Sequence, residues 1–140
     1  MPLPKNVQDL FNDFSAVKVL ATKTGDLLHV IPVGSMCAPD VNTIALASIF
    51  MRETHENLIR ARETGEKVST LVVKASPGEM LFLGYQVRCK VKGFETSGPI
   101  YENISEALKG MGLKVNGVWI LEPLEVYDQS PGPNVGKRIA

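Results

Sequence analysis

The stretch Ser48-Ile49-Phe50-Met51-Arg52-Glu53-Thr54-His55-Glu56-Asn57-Leu58 carries the residue types best suited to hold an anion. An apolar run ends, an arginine and a threonine follow, and a helix-forming run begins. The first turn of a helix offers backbone N–H groups without intrahelical partners and a partial positive charge. The Arg52 guanidinium and the Thr54 hydroxyl add further donors, and together they suit a phosphate. The same residues also compose an ordinary strand-to-helix turn, with Thr54 as N-cap and Arg52 in solvent. Glu53 stands between them, and a carboxylate beside a phosphate is repulsive. The phosphate reading therefore needs Glu53 to point away.

No other stretch spells out a catalytic constellation, and catalytic residues stay unassigned. Neither common glycine-rich phosphate loop occurs. His29 falls in an extended run and His55 in the first turn of a helix. Neither stands in a pattern with Ser or Cys that implies a nucleophile, so both read as surface or hydrogen-bonded side chains. Glu122 and Glu125 have opposite parity on one extended run, which argues against a paired acid and base. Cys37 and Cys89 are the only two cysteines, and there are only two histidines. That set builds no disulfide framework and speaks against a structural zinc site. Both thiols read as small, partly buried side chains of a reducing compartment. Cys37 lies in a loop, where a reactive thiol is the alternative.

Arg88, Lys90 and Lys92 form a one-sided basic row of the kind barrel-type nucleic-acid readers use. No aromatics interleave with it. The 15 basic and 15 acidic residues cancel, so long-range attraction to nucleic acid or anionic lipid is absent. A solvated or dimer-facing strand surface explains the row equally well.

The elements that must position these groups follow from periodicity. Val7, Leu10, Phe11 and Phe14 stripe a short helix over 6–14. Ala16 to Thr22 alternates with Val17, Val19 and Ala21 on one side, and Thr24-Gly25-Asp26 turns it into a second strand over 27–33. Residues 34–40 read as a loop. Thr43 to Ser48 is a third strand, apolar enough to be covered on both faces. A helix runs from Thr54 to Glu63 and stops at Gly65. Val68 to Lys74 is a fourth strand. A fifth begins at Leu81, with Leu83, Tyr85, Val87, Cys89 and Val91 inward and Gln86, Arg88, Lys90 and Lys92 outward. Pro99 opens a third helix, striped by Ile100, Ile104, Leu108 and Met111. A last strand over 118–127 carries Val118, Ile120, Leu124 and Val126 on one side, with Trp119, Leu121 and Tyr127 on the other. The Pro- and Gly-rich tail, from about residue 128 to 140, is extended.

Helices interrupt the strands at only three points, so a repeating βαβ unit is excluded. A mainly β fold is expected: a six-stranded antiparallel split β-barrel closed by short helices, as one domain over 1–140. The first residues are not a secretory signal and no run reaches the length of a membrane span, so a cytoplasmic protein is expected.

The order of elements from about Phe14 onward resembles the pyridoxamine 5′-phosphate oxidase-like family, the FMN-binding split barrels. The spacing of Arg52, Thr54, Asn57 and Leu58 is similar to that family's phosphate-binding stretch. The tail Val126-Tyr127-Asp128-Gln129-Ser130-Pro131-Gly132-Pro133-Asn134-Val135-Gly136-Lys137-Arg138-Ile139 resembles that of its small bacterial and archaeal members. Several members carry a basic residue immediately before the threonine, where this chain has Glu53.

The resemblance implies an FMN cofactor, with its phosphate on Arg52, Thr54 and Asn57. Its ring would lie along Pro32, Val33, Gly34 and Ser35 of one strand end and Ser48, Ile49, Phe50 and Met51 of another. It also implies a homodimer whose second subunit covers the ring, with Tyr85, Gln86, Trp119, Lys137 and Arg138 as candidates for that contact. The electron donor or small-molecule substrate is not readable, and the activity implied is that of a flavin reductase or electron carrier. A barrel that binds nucleic acid and a cofactor-free structural or regulatory dimer are the competing readings.

Overall fold

The computed structural model describes residues 2–75, 78 and 80–140. Helix α1 spans Lys5–Phe11 and strands β1 to β4 span Val17–Thr24, Leu27–Pro32, Cys37–Asp40 and Thr43–Ser48. Helix α2 (Glu53–Thr64), strands β5 (Lys67–Ala75) and β6 (Phe82–Glu95), helix α3 (Pro99–Lys109) and strand β7 (Gly117–Asp128) complete the order. All strand pairs are antiparallel and form one sheet in the order β2-β1-β5-β6-β7-β4-β3. The expectation of a mainly β fold holds, with two corrections. The sheet has seven strands, not six, and its end strands β2 and β3 are not hydrogen-bonded to each other.

The extra strand is β3. Its sequence, Cys-Ala-Pro-Asp, is too short and too poor in β-branched residues to announce itself. It is held from outside instead: the Asn12 side chain accepts from the Ala38 N–H and donates to the Ala38 carbonyl, like a missing strand neighbour.

The sheet curls around a core that includes Phe11, Leu20, Met36, Leu46, Leu58, Val87, Trp119 and Leu121. A smaller cluster of Ala45, Ala47, Val118 and Ile120 lies on the other face of β4 and β7, covered by Ile100, Ile104 and Leu108 of α3. Strand β4 is thus covered on both faces, as its unbroken apolar run requires. Helix α3 buries no residue fully, and Met111 at the end of its stripe is exposed. Phe14 lies beyond the end of α1 and is 90% exposed, so it leaves the apolar stripe expected of it.

Two strands depart from expectation, β1 in which face is buried and β7 in its alternation. In β1 the inward positions are Lys18, Leu20 and Thr22, while Val17 faces out. In β7 a bulge sets Glu125 opposite Arg88 and Pro123 opposite Cys89, leaving Leu124 as the extra residue. The bulge reverses the parity, so Val126 joins Trp119 and Leu121 in the main core. It also aligns Glu122 with Lys90 and Glu125 with Arg88, on the one face those basic residues share. The expectation that the two glutamates face opposite ways is corrected accordingly.

The tail returns along β7. Val126 N–H donates to the Ala140 carbonyl and Asp128 N–H to that of Lys137, and Tyr127 bridges Arg138. No helix among the described residues is long and apolar enough to cross a membrane.

Candidate functional site

The end of β2, the turn after it, and the β4–α2 junction converge on one cavity of about 590 Å3. Its wall includes Pro32, Val33, Gly34 and Ser35 on one side and Ile49, Phe50, Met51, Arg52 and Thr54 on the other. Of the residues expected to touch the ring or its phosphate within one chain, Ser48 and Asn57 alone lie outside it. Ser48 is buried opposite Gly117 in the β4–β7 ladder. Asn57 is a clasp between α2 and β1: its amide donates to Thr22 Oγ1 at 3.0 Å and accepts from Thr24 Oγ1 and the Arg60 guanidinium.

Each wall is fixed by local chemistry. Ser35 Oγ accepts from the Ala47 N–H at 3.0 Å, which pins the turn to β4 and leaves the hydroxyl proton free to donate. A Cβ at Gly34 would meet open space, so the glycine leaves room for a flat group to approach the backbone. Asn116 takes the carbonyls of Ser48 and Ile49 with its backbone N–H and side-chain amide. Phe50, 86% exposed, and Phe14 also line the cavity.

The start of α2 has no side-chain cap. The N-cap position is Arg52, and Thr54, expected to cap, is buried inside the first turn. Helix-start N–H groups are therefore not taken by a capping side chain, and Arg52 is exposed beside them. Glu53 turns to β2, where its Oε2 lies 2.7 Å from His29 Nδ1. The other ring nitrogen of His29 is 3.0 Å from Thr54 Oγ1. With a carboxylate on Nδ1, that nitrogen carries a proton, and the far nitrogen shares a hydrogen bond with the Thr54 hydroxyl. His29, which no motif singled out, is thus the residue that orders the helix start.

Several other candidates are structural. His55 Nδ1 accepts from Trp119 Nε1 at 3.2 Å and packs edge-on against Phe94 and Trp119. Trp119 and Tyr85 are buried, so neither is available to a second subunit. In the basic row, Arg88 stacks 4.5 Å over the Tyr127 ring and pairs with Glu125 at 3.3 Å. Lys67 also pairs with Glu125. A row partly neutralised in this way is a poor track for a phosphate backbone. Among the described residues no cluster of His, Cys, Asp and Glu could hold a metal.

Comparison with solved structures gives the fold its relatives. An FMN-binding protein from Syntrophomonas wolfei superposes with a TM-score of 0.72 at 14% identity, over 86% of this chain and 82% of that one. The chain has the fold of pyridoxamine 5′-phosphate oxidase-like proteins. HupZ of Group A Streptococcus matches it at TM-score 0.71 and 18% identity, over 96% of this chain and 99% of that one. A NimC/NimA family protein from Clostridium acetobutylicum matches at TM-score 0.64 and 18% identity, over 96% and 88%. Proteins from Lactobacillus delbrueckii and Listeria innocua that share this fold carry pyridoxamine 5′-phosphate oxidase names. No family model and no curated protein matches the sequence.

Proposed function

We propose that this chain is a flavin-binding, oxidoreductase-like protein of the cytoplasm that holds FMN in the cavity between β2, β4 and α2. One observation carries the reading: a 590 Å3 cavity with an apolar, glycine-opened wall ends at a helix start that has no side-chain cap and bears a free-standing arginine. That volume is within the range of small-molecule sites, roughly 300–1,000 Å3. The shape divides as FMN does, with a flat ring against Gly34, Ser35 and Phe50 and a phosphate at the α2 N–H groups and Arg52. Bound there, the flavin would supply the electron chemistry, and this chain's residues would position it.

The Ser35 hydroxyl is placed to donate to a ring oxygen or nitrogen. Phe14 and Phe50, exposed in one chain, would be covered by the ring and by a partner. Such a partner is a second copy of this chain. The outward faces of β2, β1, β5 and β6 join Val30, Val17, Val73 and Phe82 into one apolar surface, with Val17 and Val30 largely exposed. Burial of a surface like this drives association. The test is the visible spectrum of the purified protein after FMN is added and excess removed. Retained flavin absorbance supports the reading, and a colourless protein refutes it.

A further inference from the structure

A second cavity, about 600 Å3, lies between α1, β3 and α3. Phe14, Gly34, Ser35 and Leu108 line both cavities, so the two are contiguous. Lys18 enters the second one from the inward face of β1 and is only 6% exposed. Among the described residues its ammonium has neither a hydrogen-bond nor an ion-pair partner, and Nζ itself still touches water. The carboxylate whose charge it feels, Asp13, is already bonded to Lys74 and Ser15. The Cys37 thiol in the same cavity is held neutral, because burial pushes its pKa up.

The aliphatic stem is packed against apolar walls while the unpaired ammonium keeps only part of its water, a charge left open to a counter-ion. The fold gains no bond from this one. A ligand does. We infer that the second cavity is a subsite for a small apolar monocarboxylate, whose head pairs with Lys18 and whose body lies against Phe11 and Ile104. A single charge is favoured because Lys18 is the only cation in the lining. A phosphate dianion would leave uncompensated charge among apolar walls. The shared wall at Ser35 and Leu108 sets the ligand's body beside the first cavity, which makes it a candidate substrate site. That role rests on the flavin reading above; carboxylate binding does not.

The test is calorimetric titration of the full chain with benzoate and hexanoate, and with benzamide and hexanamide as neutral counterparts. The expected result is carboxylate binding that exceeds amide binding and falls about 10- to 100-fold in Lys18→Met. Iodoacetamide labelling of Cys37 in the unaltered chain gives a second readout that does not depend on a variant folding. Carboxylates should slow it and amides should not. Equal binding of acids and amides, no carboxylate binding at millimolar concentration, or unchanged affinity in a folded Lys18→Met overturns the inference. FMN uptake measured in the same samples separates the two claims. Carboxylate binding without FMN uptake removes the flavin reading and keeps the subsite.

Discussion

His29 on β2 and Glu53 on α2 are joined by a 2.7 Å contact between imidazole and carboxylate. It draws Glu53, the acidic residue in the cavity wall, toward a neighbouring strand. It also orients the ring so that its far nitrogen meets Thr54.

The carboxylate is diverted, but its charge stays close to the helix start. Glu53→Gln keeps a hydrogen-bond acceptor for His29 and removes the charge. FMN affinity should rise about 3- to 10-fold, as expected for one like-charge repulsion near the surface. Flavin fluorescence quenching measures it, and a weaker complex would show that Glu53 supports the site.

The Tyr127 hydrogen bond first, then the Lys67 ammonium, with a smaller pull from Arg138, hold the Glu125 carboxyl down at about 2. A depressed carboxyl stabilises the fold above its unfolded value and loses that contribution as pH falls through its folded value. The contribution of Glu125 should therefore fade between pH 4.5 and about 2. Glu125→Gln should be less stable than the unaltered chain at neutral pH, and the two urea midpoints should converge over that window. A constant gap would contradict the assignment.

Burial raises the Cys89 thiol to about 12; it also raises Cys37, which lines an open cavity. Iodoacetamide at mildly alkaline pH should label Cys37 slowly and leave Cys89 intact until urea unfolds the chain, as read by peptide mass spectrometry. The raised Cys89 thiol also means that its contribution to stability is complete below pH 9 and declines as pH climbs toward about 12.

Val30 is 60% exposed on the apolar outer face. Val30→Asp should leave the monomer folded and place a charge in the proposed dimer contact. Sedimentation should shift from dimer to monomer, and FMN affinity should drop with it. An unaltered chain that sediments as a monomer at working concentration removes the two-chain site.

Much of this architecture was legible because period and turn chemistry agree with it. The uninterrupted apolar run of β4, the alternation of β6 from Tyr85 to Val91, and Gly65 after α2 each follow from one local rule. What escaped is what tertiary context decides. Lys18 stands inward and Val17 outward because a cavity lies on one side of β1 and an uncovered apolar face on the other. Alternation alone cannot say which side is which. The bulge at Leu124 reverses the parity of β7, and only the partner strand reveals it. Strand β3 exists because Asn12 from a distant helix end grips Ala38. At the site, the β4–α2 junction is legible from its residue types, and the turn after β2 only from resemblance. The His29–Glu53–Thr54 chain needed coordinates, since those residues meet only when β2 lies beside the start of α2.

The central claim is that the β4–α2 junction grips the phosphate of a flavin. Parallel titrations with FMN and riboflavin isolate that phosphate, because the ring is common to both. FMN should bind at least about tenfold more tightly, and Arg52→Ala should remove most of the difference while leaving riboflavin binding unchanged. Equal affinities for the two flavins, or an FMN preference that survives Arg52→Ala, would contradict the account.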